Sequence, residues 1–247
     1  MGEGHSRLGR AGRLSTDAVP ADNAAVAADR EAGADPLRNV VEQLEMSIVF
    51  GRRLPRERLV EEELAQEFGT TRHIVRQALA ELERIGVVDR IRNRGATVRD
   101  FKPDDVRKIF AVREILERAA AAQIDLPADR DTVAHLVEIQ AQHDGAADRG
   151  DVLRAFRVNL EFHYTLFSAC RNQYLLEAIQ HYGQRTHAIR SFSIVKPEYL
   201  RRARDEHRAM IRALKGSDRQ KLVDLCGNHL DISKSAYIEA YRARFPE

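Results

Sequence analysis

Apolar positions in the first hundred residues fall into three helical patterns followed by one that alternates. Leu37, Val40, Val41, Leu44 and Ile48 recur at spacings of three and four, so they share one face of a helix with Pro36 in its first turn. Gly51 ends that helix, and residues 52–58 form a connector around Pro55. A short helix from about Val60 to Phe68 buries Leu64, Ala65 and Phe68, and Gly69 closes it. Thr70-Thr71 then supplies an N-cap for a third helix, Arg72 to about Ile85, with Val75, Leu79 and Leu82 inward and Ala78 beside them. Gly86 stops it and the period becomes two. Val87-Val88 and Arg90-Ile91-Arg92 read as a strand, Asn93-Arg94-Gly95 as a turn, and Ala96 to Arg99 as the returning strand.

Beyond Phe101 no strand signal of similar strength appears. Helical patterning runs over 103–244, with breaks near Leu126-Pro127, Gly150-Asp151, Arg171-Asn172, Lys196-Pro197 and Gly216-Ser217. These delimit about six helices, each long enough for one rod of a bundle. Residues 1–35 have no aromatic residue and only scattered apolar ones, too few to offset ordering entropy, and read as a disordered extension. The expected fold is therefore mainly α: a winged helix-turn-helix domain over 36–101, then an all-helical bundle over 102–247.

Composition excludes several classes. Hydrophobic residues make up 43% and charged residues 32%, as a packed globular chain requires. No apolar run reaches the roughly 18 residues of a membrane span, and the arginines near the start precede no apolar signal core. Cys170 and Cys226 form no C-x-x-C pattern, so a disulfide scaffold is excluded and a cytoplasmic location expected. The net charge of +2 says little about partners. Its distribution says more: residues 84–99 hold five arginines (84, 90, 92, 94 and 99) against the single acid Asp89.

That basic hairpin follows two short helices joined by a tight turn, which is a helix-turn-helix. Off the buried stripe of the second helix lie Arg72, His73, Arg76, Gln77 and Ala80, with the two arginines four apart on one face. Arginine at the start of such a helix reaches guanine O6 and N7 in the major groove. Thr70 and Thr71 offer hydroxyls and backbone N–H groups to phosphate, and Arg94-Gly95 at the hairpin tip fits a minor groove. A solvated arginine face would explain the charge alone, but not its coincidence with the helix pair.

Gly51, Pro55, Leu59, Glu61, Leu64-Ala65, Phe68-Gly69, Arg72, Val75-Arg76, Ala78-Leu79, Leu82, Gly86 and Arg94-Gly95 stand in the order and spacing of the GntR-type winged-helix signature. By this resemblance, over about residues 37–101, Arg58, Arg72 and Arg76 are the main operator-contacting arginines, with Thr71, His73 and the Arg94-Gly95 wing beside them. The chain departs from the pattern at Arg56, where glycine usually follows the proline. It departs again at Ile74 and Gln77, where proline and glutamate are usual, and at Thr70-Thr71, which replaces a common Val-Ser.

A bundle core is expected to be apolar, so polar residues at inward positions need a reason. Asn159 and His163 stand four apart on one helix, with His207 and His229 on two later ones. Imidazoles with one amide oxygen suit a borderline divalent metal such as Zn or Ni. By residue type alone, nine histidines allow many accidental groupings, His181 and His187 included. Phe110-x-Val112-Arg113-x3-Glu117, Asn159-x2-Phe162-His163, Glu206-His207 and His229 together resemble the FCD-type sensing domain of the FadR subfamily, in its six-helix VanR-like form. Many members hold a divalent metal through one Asp and three His; Asn159 takes the Asp position here. Arg113 is either a hook for a carboxylate effector or the salt-bridge partner of Glu117, four residues on. The expectation is a homodimeric, ligand-responsive repressor on a palindromic DNA operator and not an enzyme. A constitutive DNA-binding dimeriser is the alternative, with a metal-dependent hydrolase a distant third.

Overall fold

The computed structural model describes residues 35–91, 95–194 and 196–245. The extension read over 1–35 lies outside them except for its last residue, as does the wing tip over 92–94, including Arg94.

The head begins with α1 (Pro36–Val49), α2 (Glu61–Glu67) and α3 (Arg72–Ile85). Val60 and Phe68 cap α2 rather than belong to it. The Thr71 side chain accepts the Ile74 N–H and so caps α3, while Gly86 ends it at φ 87°, a left-handed conformation glycine adopts without a Cβ clash. Strands β2 (Val88–Ile91) and β3 (Gly95–Val98) form the expected hairpin. The connector adds a strand that hydrophobic period does not reveal: β1 (Arg58–Leu59) pairs antiparallel with β3, Arg58 opposite Thr97, giving the order β1-β3-β2. Two residues are too short for periodicity to register. Gly95 has φ 86°, and a Cβ there would run into the Leu59 carbonyl, so the β1–β3 crossing needs glycine. Leu44, Leu59, Leu64, Val75, Leu79, Leu82, Ala96 and Val98 form the head's core.

Arg56 stands at φ 69°, the left-handed region. The glycine of the resembled pattern is thus a backbone requirement, met here by an arginine tied down on both sides. Its N–H donates to the Val98 carbonyl at 2.8 Å and its Nε to Asp100 at 2.7 Å.

Seven helices follow among the described residues: α4 (Pro103–Gln123), α5 (Arg130–Asp148), α6 (Val152–Ser168), α7 (Gln173–Arg185), α8 (His187–Ile194), α9 (Pro197–Leu214) and α10 (Arg219–Arg244). The count exceeds the expected six because Thr186 separates α7 from α8 with no glycine or proline to mark the break. Its hydroxyl donates to the Gly183 carbonyl at 2.8 Å, competing with helical continuation. Asp129, Asp151, Asn172 and Asp218 each cap the helix that follows. Phe162, Leu136, Ile139, Leu166 and Leu214 pack at the bundle's centre, each stabilising it by about 1.5–3 kcal/mol through burial. Within this unit the head docks on the bundle. The His187 ring bonds Glu45 of α1 at 2.8 Å, and Phe50 meets Phe156 edge-on with centroids 5.9 Å apart.

Candidate DNA interface and metal centre

Residues on the solvent side of α3 are those its buried stripe leaves over: Thr71, Arg72, His73, Arg76 and Gln77 are exposed while Val75, Ala78, Leu79 and Leu82 are buried. The arginines do not point into solvent at random. Arg76 donates to both carboxylate oxygens of Glu61, the nearest contact being 2.9 Å, and Arg72 pairs with Glu62 at 3.2 Å. These acids stand in the first turn of α2, where the helix dipole favours them. Hydrogen bonding from Arg76 holds the Glu61 carboxyl below its ordinary value. The guanidinium groups thus lie over the front of α3, paired with Glu61 and Glu62. Thr71 uses a lone pair for its cap, so its O–H remains a donor. Thr70 is half-buried at the turn, Arg58 is exposed at the edge strand, and Gly95 begins β3.

The basic stripe is milder than the local count implies. Arg84 pairs with Glu81 at 2.5 Å, Arg90 lies 3.8 Å from Glu83 and Arg99 bonds Asp89 at 3.0 Å. Over 81–99 there are five arginines against three acids: Glu81 pairs within α3, and Glu83 reaches the hairpin at Arg90.

In the bundle, three helices deliver three imidazoles to one point. His163 on α6, His207 on α9 and His229 on α10 have ring centroids 4.9–5.1 Å apart, and one ligand atom from each lies within 4.8 Å of the others. Of His181 and His187, which residue type alone could not exclude, neither joins this group. The tautomers follow from the neighbours. His207 Nδ1 lies 2.9 Å from the Gln140 amide oxygen and His229 Nδ1 2.7 Å from the Glu206 carboxylate. Both partners are acceptors, so Nδ1 carries a proton in each ring, and the neutral, buried His207 presents a lone pair at Nε2. Nε2 of His163 and of His207 are buried with no hydrogen-bond partner. Burial first, then Arg190 for His163 and His229 for His207, holds both imidazoles well below the usual range, so they are neutral. Three convergent imidazoles, with the Nε2 atoms of His163 and His207 buried and partnerless, fit a divalent metal. Asn159 is buried one turn before His163 and shares a cavity of about 40 Å³ with His143 and His229.

A second cavity, of about 320 Å³, has Arg113, His163, His187 and Arg190 in its lining. Both readings of Arg113 bear on it. The ion pair with Glu117 is present, with Nε and Nη2 donating to one carboxylate oxygen at 3.1 and 2.7 Å and Nη1 to Thr186 at 2.9 Å. Arg113 nevertheless stands in the cavity wall. Sequence reasoning missed Arg190, which lines both cavities, and His143, whose Nδ1 is buried without a partner. It also missed the orienting roles of Gln140 and Glu206. Gln140 and His143 carried one usable signal, as polar residues in register with the buried Leu136 and Ile139 of α5.

A winged helix-turn-helix joined to a histidine-centred helical domain defines a class of DNA-binding regulators rather than enzymes. Residues 36–98 match the model for bacterial regulatory proteins of the gntR family and residues 108–232 that for the FCD domain. The chain belongs to the GntR family of transcriptional regulators, in its FCD-containing, FadR-like branch. It is 25% identical over 179 residues to YdhC, an HTH-type transcriptional regulator of Bacillus subtilis (strain 168), covering 72% of this chain and 80% of that one. Among solved structures, E. coli McbR/YncC superposes with a TM-score of 0.73 at 20% identity, over 84% of this chain and 99% of that one. A transcriptional regulator GntR from Rhodococcus sp. RHA1 gives 0.68 at 20% identity, over 83% and 99%. These two likenesses establish the fold. No helix among the described residues is long and apolar enough to cross a membrane.

Proposed function

We propose that the chain is a ligand-responsive repressor that binds a palindromic operator as a homodimer and senses a small organic acid beside a divalent metal, Zn or Ni, in its bundle. The observation that carries this reading is the pair of buried, partnerless Nε2 atoms of His163 and His207, with His163 also in the wall of a cavity lined by Arg113 and Arg190. A purely dimerising bundle has no use for buried lone pairs left without partners. His163, His207 and His229 hold the metal through Nε2, with Asn159 as an oxygen donor, and Gln140 and Glu206 orient the rings. When bound, the metal would supply a Lewis-acidic centre able to polarise an acid's oxygen.

On DNA, Arg72 and Arg76 read base edges. Arg58, Thr70, Thr71, His73 and the Arg94-Gly95 wing set the head on the backbone. His187 belongs both to the wall of the larger cavity and to the contact with Glu45 of the head, so a ligand there acts one side chain away from α1. Regulation then requires that the ligand favour one arrangement of that contact over another.

Native mass spectrometry of gently purified protein tests the reading. A dimer carrying one metal per chain, lost on His207→Ala with His229→Ala while the dimer persists, is the expected result. Protein that retains neither added Zn nor added Ni would remove the metal from the mechanism.

A further inference from the structure

Glu61 stands among the arginines of the head. It opens α2, and its carboxylate accepts Nε–H and Nη2–H of Arg76, across the helix turn, at 3.3 and 2.9 Å. Arg72 Nη2 lies 3.9 Å from the same carboxylate, and Arg90 of the hairpin adds attraction from farther off. The Glu61 side chain is only 16% exposed, whereas that of Glu62, the nearer partner of Arg72, is 58% exposed. The two arginines of α3 are therefore held unequally: Arg76 by a sheltered acid through two of its nitrogens, Arg72 chiefly by an exposed one.

A guanidinium carries its N–H donors in a planar fork. Nε–H and one Nη2–H of Arg76, the side of the fork, face Glu61. The end of the fork, made by Nη1 and the second Nη2–H, is the pair that spans guanine O6 and N7. Charge acts in the same direction. A guanidinium paired with a carboxylate is close to neutral as a unit, and the carboxylate repels an approaching phosphate. A guanine edge carries no net charge and meets no such repulsion, so the acid works against the wrong partner more than the right one. We infer that Glu61 is a specificity-determining residue: kept beside Arg76 on DNA, it aims the end of that guanidinium at a guanine edge and biases it against phosphate. Glu61 is thus a positioning residue that acts through Arg76. The inference deepens the proposed use of α3 on DNA and rests on it.

The test takes duplexes that the full-length wild-type protein selects from a random library. The selection is repeated with Glu61→Gln, Glu62→Gln, Arg76→Ala, Arg76→Lys and the double variant Glu61→Gln with Arg76→Ala. Fluorescence anisotropy on the best wild-type duplex and on its scrambled sequence, over a range of salt, gives the ratio of specific to non-specific affinity. Arg76→Ala should erase the preference at one guanine position. Glu61→Gln should relax the same position and lower the ratio roughly tenfold, partly through tighter scrambled binding with a salt slope steeper by about one. Glu62→Gln should leave that guanine selected, and Glu61→Gln should change nothing further there once Arg76 is alanine. Arg76→Lys keeps the charge but not the fork, so it should lose the guanine while still holding scrambled DNA. It carries the test if the glutamine variant does not fold, and a guanine still selected by the lysine variant would overturn the inference. Relaxation by Arg76→Ala with none by Glu61→Gln would overturn this inference alone, whereas no relaxed position in Arg76→Ala would also overturn the reading of bases by Arg76. Equal relaxation by Glu62→Gln would reduce the effect to loss of a nearby charge and overturn it as well.

Discussion

Metal-free protein should lose stability on mild acidification, and His143 gives the effect a size. Its imidazole is 1% exposed and burial pushes its pKa down to about 4, against about 6.5 for an unperturbed histidine. The unfolded chain therefore takes up the proton first. Stability is complete above about pH 6.5 and falls as pH drops, the loss from this residue ending near pH 4. A difference of about 2.5 units at 1.36 kcal/mol each corresponds to about 3 kcal/mol, of which about 2 kcal/mol is gone by pH 5. His163 and His207 act in the same direction, so the wild type falls by more. His143→Gln keeps a polar side chain but removes the titration and isolates one share. Urea unfolding in the presence of chelator, at pH 7.5, 6.5, 5.5 and 5 and constant protomer concentration, reads the difference. With a slope of about 3 kcal/mol per molar urea, the wild-type midpoint should fall by about 0.5 M more than that of His143→Gln between pH 6.5 and 5. Parallel pH dependences for the two proteins would refute the claim that this imidazole is buried in the neutral form.

Three further outcomes follow from the same geometry. Arg76→Ala should weaken binding to the specific operator roughly tenfold or more while lowering non-specific binding less, as read by mobility shift on operator and scrambled duplexes; equal losses would confine Arg76 to phosphate. Glu206→Gln should leave the fold intact yet weaken zinc binding about 10–100-fold in chelator competition, because His229 loses its charged orienting acceptor. Leu82→Ala, at a fully buried position of the head, should cost about 2–5 kcal/mol and abolish operator binding, while zinc content of the bundle is retained.

The head was almost fully legible because its elements are local. Three apolar stripes, a capping threonine, three stopping glycines and an alternating hairpin each act within a few residues. The rest of the pattern then leaves Arg72 and Arg76 outside by subtraction. What escaped was the two-residue strand β1, which exists only because β3 runs beside it, and the pairing of the arginines with Glu61 and Glu62 across the helix turn.

In the bundle, local signals fixed most helix ends through Asp and Asn caps, and missed only the break at Thr186. The sequence by itself determined which residue types were available: three histidines on three helices and an arginine one turn from a glutamate. It could not choose among nine histidines, because side chains 22 to 66 residues apart meet only through helix packing. Tertiary structure decided that His163, His207 and His229 converge, that Gln140 and Glu206 set their tautomers, and that Arg190 stands between two cavities. Those facts depend on how whole helices lie against one another, and no periodicity along a single helix encodes the angle of its neighbour.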